Sequence, residues 1–386
     1  MNDLPNKGLL PAGLSDVLPP EAAQEATVAE GLVNCLARHG FERVKPPLVE
    51  FEESLLAGAG AATAGQTFRL MDPVSQHMMG IRSDMTVQVA RIATTRLADV
   101  PRPLRLSYGG QILRVRGTQL RPARQISQVG CELIGSASIA ADVEVVLLAV
   151  EALEKIGVPE ISIDLTMPTL VPAVADEMGL DGAAYEQLRA ALDRKDASAV
   201  TAIGGKIAET MGLLLEYAGA VGNVIDKLEK MKLPPRARKE CDRLLEVASM
   251  IRDVSPELSL TIDPVENRGF EYHSGVSFSI FSRSERSELG WGGRYLAGDG
   301  GRGREGGEPA TGFTLFLDSV LRVVPEAVKP RRVFLAFDTS RENNDRLREE
   351  GWVVIQGLEM IKDVFAEARR MNCDHAYVDG ELKAVD

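Results

Sequence analysis

The sequence predicts an α+β protein: an antiparallel sheet flanked by helices, with a helical insert and a small C-terminal α/β domain. Three observations point there. Stretches of strand length with alternating apolar residues, such as LRLSYGGQILRVR, ARQISQVGCELIG and SGVSFSIFS, fall on both sides of a long segment without them. That segment, from about Pro168 to Ser255, is rich in Ala, Glu, Lys and Leu and reads as helix. After VKPRR the pattern changes to short apolar strands alternating with helical stretches, the order of a parallel α/β unit. The expected division is a sheet-bearing core in two parts, 1–167 and 256–327, an insert at 168–255 and a C-terminal domain at 328–386.

Taken in order, Glu21 to His39 reads as an amphipathic helix. Val28, Leu32 and Leu36 recur at helical spacing beside Ala29 and Val33, and Gly40 stops it. Phe41 to Phe51 is strand-like but broken by Pro46 and Pro47, which cannot donate to a ladder. FRLMDPVSQHMMGIRSDMT reads as two short strands around a turn at Asp72–Pro73, leading into a helix from about Thr86 to Ala98. From Arg105 to Ile134 two strands flank the loop GTQLRP in a hairpin-like arrangement, and a helix follows from about Ala140 to Ile156. ISIDLTM alternates Ile161, Ile163 and Leu165, as a strand does, and LSLTID and SGVSFSIFS supply strands after the insert. The Gly-rich stretch from Gly290 to Gly307 lacks the GxxxxGK[ST] order of a phosphate cradle, so it is expected as a mobile loop before a helix beginning near Gly312. In the tail, VFLAF, WVVIQ and HAYVD are strands separated by the helical stretches RENNDRLREEG and MIKDVFAEARRMN.

Composition narrows the function. At 386 residues, 45% hydrophobic and 26% charged, the chain has the make-up of an ordinary soluble protein of several domains. No apolar run approaches the ~18 residues of a membrane span, and the N-terminus lacks the apolar region of a signal peptide. A cytoplasmic location without membrane contact is expected. Cys35, Cys131, Cys241 and Cys373 lie far apart, and only Cys373 has a ligand-type neighbour, in the isolated pair with His375. No metal and no cofactor are expected. The net charge of −12 weighs against binding nucleic acid by its phosphates.

The hairpin carries the chemistry. Gln128, Gly130 and Glu132 fall at i, i+2 and i+4 of one strand and so share a face, with Arg114 on the other strand. A carboxylate, an amide and a gap at glycine suit a small zwitterion. Glu132 can accept from an ammonium or imidazole N–H, and Gln128 can donate and accept. Taken alone, the strand reads more readily as solvated, with its polar residues outward.

The run YGGQILRVRGTQLRPARQISQVGCELIG resembles motif 2 of class II histidyl-tRNA synthetases, an aromatic and glycine leading into "FR", a loop, then "RQ…Q.G.E". RVKPPLVEFE is similar to motif 1, with Pro46 or Pro47 in its dimer-interface strand, and IRSDMT to the histidine-site element "RPDMT" or "RPEGT". Downstream, ENRGFEYH resembles "RGLDYY", WGGRYLAG resembles "GGRYD.L", and ATGFTLFLDSVLR stands in the place of motif 3. The resemblance runs from about Leu10 to Arg322 and implies a class II aminoacyl-tRNA synthetase-like core. The C-terminal piece resembles a shortened anticodon-binding domain.

Position by position, the resemblance implies that Asp84 and Thr86 hold an α-ammonium, with Gln128 and Glu132 close to the ligand. Arg114 and Arg268 would face its carboxylate and Tyr272 would line an imidazole pocket, while His273 stands where the family usually has a second tyrosine. Other roles remain open: Asp84 as a helix cap, Arg268 as half of a surface ion pair, Tyr272 as core filler. The nucleotide side departs from the family. Arg116 replaces a Glu that helps hold adenine, Pro122 replaces a loop arginine, Phe316 and Ser319 replace a small residue and the motif 3 arginine, and Leu296 replaces an Asp. A planar cation on adenine or phosphate is not replaced by a hydroxyl, so adenylation is expected to be absent or very weak.

The resemblance is closest to the branch of the family that lacks aminoacylation and supplies regulatory subunits to short-form ATP phosphoribosyltransferase. It implies a short catalytic subunit as partner, self-association as a dimer within a hetero-oligomer (commonly an octamer), L-histidine as feedback effector, and no tRNA. The alternatives are a working histidyl-tRNA synthetase, a drifted ligase, and a structural dimer with an empty pocket.

Overall fold

Helix α1 (Glu21–Arg38) buries Val28, Leu32, Val33, Cys35 and Leu36 along one face and ends at Gly40, whose φ of +79° closes the last turn. This is a computed structural model, and it describes residues 9–119, 121–266, 272–298, 307–326 and 329–385. The chain falls into two units, Met1–Pro325 and Glu326–Asp386.

In the first unit, β1 (Glu42–Arg43) and β2 (Val49–Phe51) lie on either side of the Pro46–Pro47 break, followed by α2 (Glu52–Leu55) and a 3₁₀ segment (Gly58–Gln66). β3 (Phe68–Met71) and β4 (Met78–Ile81) pair around the Asp72 turn, where the carboxylate accepts from the N–H groups of Val74 and Ser75. With β2 they form a three-stranded sheet. Next come α3 (Thr86–Thr95), the hairpin of β5 (Leu104–Leu113) and β6 (Gln125–Ile134), α4 (Ile139–Lys155) and β7 (Ile161–Thr166).

From Leu170 to Val254 the chain is mainly helical: α5 (Leu170–Glu177), α6 (Gly182–Asp193), α7 (Ala197–Ile203), α8 (Gly205–Glu216), α9 (Val221–Lys230) and α10 (Pro235–Val254). One departure is β8 (Gly219–Ala220), a strand too short to leave a periodic signal, which pairs with β9 (Ser259–Asp263). β10 (His273–Ser282), β11 (Gly290–Ala297) and β12 (Glu308–Phe316) follow, then α11 (Leu317–Val320).

Two expectations fail here. Gly290–Ala297 is not a loop but a central strand, between β10 and β12. Glycine is a poor strand former, yet a Cβ at Gly290 would come within 2.2 Å of the Thr314 carbonyl oxygen, and one at Gly292 within 2.5 Å of the Phe278 ring. Close approach of the neighbouring strands requires the glycines. The part of the expected mobile loop from 299 to 306 lies outside the described residues. Nor does a helix begin near Gly312: β12 runs on to Phe316, and only the four residues of α11 follow. β12 is buried on both faces, so its apolar run shows no alternation that would separate strand from helix.

The main sheet has the order β1-β5-β6-β12-β11-β10-β7-β9-β8 and is antiparallel except for the β1–β5 and β7–β9 pairs. One face, with Cys131, Ile163, Phe278 and Phe313, packs under α1, α4, α5 and α10. The other, with Tyr108, Ile126, Tyr295 and Phe316, meets Met85, Val89, Ala90 and Ala93 of the α3 region. The site described below lies on this second face.

The second unit contains β13 (Arg332–Leu335), α12 (Arg341–Glu349), β14 (Val353–Gln356), α13 (Val364–Arg370), β15 (His375–Val378) and β16 (Glu381–Ala384). β14, β13 and β15 are parallel, as the alternating pattern predicts, and β16 adds an antiparallel edge.

Candidate functional site

Period two puts Ile126, Gln128, Gly130, Glu132 and Ile134 of β6 on the α3 side of the sheet. The polar pair is therefore buried, not solvated: Gln128 is 0% and Glu132 1% exposed. Strand register sets Gly312 of β12 opposite Glu132 and Tyr108 of β5 opposite Gly130. A Cβ at Gly312 would lie 2.0 Å from Glu132 Oε2, and one at Gly130 would lie 2.5 Å from the Tyr108 hydroxyl oxygen. The gap at Gly130 thus admits the protein's own phenol rather than a ligand, which corrects the sequence reading.

Glu132 accepts a hydrogen bond from the Tyr108 hydroxyl at 3.2 Å and another from the Tyr295 hydroxyl at 3.0 Å. Burial pushes its carboxyl up to about 8, while the bonds from Tyr295, Thr86 and Tyr108 pull the other way. Among the described residues no cation pairs with Glu132, and burial keeps its carboxyl largely protonated at neutral pH.

At the start of α3, Asp84 Oδ1 accepts the Thr86 N–H at 2.8 Å and Oδ2 accepts from the Gln128 amide at 3.0 Å. Gln128 Oε1 in turn accepts the Met85 N–H at 3.1 Å. Asp84 therefore caps the helix and faces the cavity at once. Gln128 lies behind it, on neither cavity wall, and holds it in place.

A cavity of about 630 Å³ opens here, with Asp84, Thr86, Arg114, Arg116, Tyr272 and Trp291 among its walls. Behind it, a void of about 10 Å³ touches Glu132, His273, Tyr295 and Thr314, and shares Thr86, Tyr272 and Trp291 with the large cavity. Tyr272 stacks on His273 with ring centroids 4.2 Å apart. Burial pulls His273 down to about 3, so its ring is neutral at physiological pH. Arg114 donates to the Ser83 carbonyl at 3.4 Å and lies over the rings of Phe316 and Trp291; burial lowers its pKa from the ordinary arginine value. Asp84, Thr86, Arg114, Gln128, Glu132, Tyr272 and His273 thus converge on one region. Arg268 lies outside the described residues.

Sequence reasoning missed the two phenols on Glu132, and it missed Arg121. This arginine, beside the anomalous Pro122, folds back onto Asp318 at 3.1 Å, the Ser319 hydroxyl at 3.0 Å and the Glu288 carbonyl at 2.8 Å, over the Phe316 ring at 4.1 Å. Its charge is spent inside the protein. The Arg294 of WGGRYLAG is also structural, donating to Asp142 and to the carbonyls of Ser136 and Ser138.

Comparison with known proteins places the chain in a family. Residues 13–320 match the histidyl-tRNA synthetase family model. The ATP phosphoribosyltransferase regulatory subunit of Paramagnetospirillum magneticum is 52% identical over 375 residues, covering 97% of each chain. That of Rhodospirillum centenum is 52% identical over 381 residues, 99% of this chain and 97% of its own. Among solved structures, an ATP phosphoribosyltransferase regulatory subunit/histidyl-tRNA synthetase from Bacillus halodurans C superposes with a TM-score of 0.79 at 21% identity, over 95% of this chain and 97% of that one. Histidyl-tRNA synthetase from Nostoc sp. PCC 7120 gives 0.79 at 18%, over 96% and 91%. At such low identities the structures establish the fold, that of the class II histidyl-tRNA synthetases. The high-identity relatives carry the assignment further: the chain belongs to the family of ATP phosphoribosyltransferase regulatory subunits.

Proposed function

We propose that this chain is a non-catalytic regulatory subunit of a short-form ATP phosphoribosyltransferase, and that L-histidine bound between α3 and β6 inhibits a separate catalytic subunit at the first step of histidine biosynthesis. One observation carries the reading: residues suited to an amino acid line the cavities, while Arg121, on the side expected for a nucleotide, is engaged within the protein. Asp84, Thr86, Tyr272 and Glu132 line the cavities, whereas Arg121 is neutralised by Asp318 and bonded to Ser319. Adenylate formation needs cations free to meet developing phosphate charge. The catalytic subunit then supplies the ATP and phosphoribosyl pyrophosphate contacts. Asp84 and Thr86 would take the ligand's ammonium, Arg114 and Arg268 its carboxylate, and Glu132 an imidazole N–H, with Tyr272 and His273 closing the pocket.

The assembly we envisage is a dimer of this chain within a cytoplasmic hetero-oligomer, in size an octamer, with no cofactor and no tRNA. Among the described residues no helix is long and apolar enough to cross a membrane. The net charge of −12 favours a protein partner over a polyphosphate one.

Calorimetric titration of free histidine tests the site. Glu132→Ala leaves a ligand donor unpaired and should cost about 1–3 kcal/mol, or roughly 5- to 150-fold in affinity. Unchanged binding would move the site elsewhere. A histidine-dependent ATP–pyrophosphate exchange assay should give no signal, and robust exchange would restore the reading as a working synthetase.

A further inference from the structure

Cys35 and His39 stand one turn apart at the end of α1, facing Glu151 of α4, and their ligand atoms all lie within 4.8 Å of one another. We propose that this cluster, on the opposite side of the main sheet from the histidine pocket, is a binding site for a divalent transition metal ion of the zinc or cobalt type.

The separation of His39 and Glu151 suits tetrahedral coordination. Bonds of about 2.0–2.1 Å to nitrogen and oxygen place those two ligand atoms about 3.3 Å apart, and His39 Nε2 lies 3.2 Å from Glu151 Oε2. The other carboxylate oxygen is occupied: Lys155 Nζ holds Oε1 at 2.5 Å. Lys155 therefore holds the carboxylate and leaves one oxygen for the ion; its ammonium also hydrogen-bonds the Cys35 thiol, a contact that the ion replaces on binding. His39 is also the C-cap of α1, where the negative end of the helix dipole favours a cation. Both helices pack against the same face of the sheet, so the ligands sit on rigid elements.

The Cys35 thiol is 3% exposed. Burial raises its pKa, nearby Lys155 lowers it, Glu151 raises it and Arg38 lowers it. On binding, the thiol gives its proton to the buffer, the sulfur lone pair goes to the metal, and the ion takes the place of the direct His39–Glu151 contact. Three protein ligands leave the fourth position for water, and the ion would staple α1 to α4.

Cobalt(II) titration of the reduced full-length chain, without free histidine, provides the test. One ion per chain should give a thiolate-to-cobalt charge-transfer band in the near ultraviolet, and zinc should abolish it. Cys35→Ser should eliminate the band. His39→Asn, at a solvent-facing position that leaves every cysteine intact, should weaken binding by more than about tenfold while histidine affinity stays unchanged. Absence of the band at one equivalent, or its persistence in Cys35→Ser, would overturn the proposal, as would cobalt affinity unaltered in His39→Asn.

Discussion

Glu132 accepts from two phenols, Tyr108 and Tyr295, that neighbouring strands bring to it. Its face, and its place beside Gln128, follow from strand period. Its partners do not, because Tyr108 and Tyr295 reach it through the register of other strands, which no local pattern encodes. Burial sets its pH behaviour by raising its pKa, and the bonds from those partners oppose the shift. Burial pushes the carboxyl up to about 8 in the folded chain against an ordinary 4.5. Between these values the folded chain binds the proton that the unfolded chain has released, so this group's contribution is full below 4.5 and is lost as pH rises through about 8. Glu132→Gln should flatten that decline, by an amount on the order of a few kcal/mol. Denaturant unfolding from pH 5 to 9 measures it, and parallel curves for the two proteins would count against an uncompensated buried acid. His273 has the opposite sign. Its folded value of about 3 lies below the ordinary 6.5, so its contribution is present above 6.5 and is lost as pH falls through about 3.

Among the elements, amphipathic α1, the β5–β6 hairpin and the strands of the second unit were readable because each buries one face or stands between clear breakers. β11 and β12 were not. Both are sandwiched in the sheet, and β11 meets its neighbours through glycine, so the usual strand signals of alternation and branched side chains are missing. Their glycines should therefore resist substitution far more than loop glycines do. At Gly312 an added methyl would meet Glu132 Oε2 at 2.0 Å and the Cys131 carbonyl oxygen at 2.4 Å. Gly312→Ala should destabilise the chain by about 1–3 kcal/mol through overpacking and should abolish histidine binding by displacing Glu132. Thermal unfolding paired with histidine titration checks both effects, and a variant as stable and as histidine-responsive as the parent would contradict the packing described here.

For the whole molecule, feedback control requires histidine to bind two states of an assembly unequally, because a ligand with equal affinity for both shifts nothing. On the proposed reading, an amino-acid pocket beside an Arg121 held by Asp318 and Ser319 has no acyl transfer left to serve, and sensing is the use that remains. Coupling is reciprocal: substrates that favour the active state of the complex should weaken histidine binding by the same factor by which histidine weakens theirs. The most direct measurement is phosphoribosyl-ATP formation by the short catalytic subunit, assayed with and without this chain across a histidine series. Adding the chain should raise the activity, histidine should then suppress it, and the complex containing Glu132→Ala should stay active while resisting histidine. A catalytic subunit equally active and equally histidine-sensitive without this chain would contradict the regulatory assignment, whatever the pocket binds.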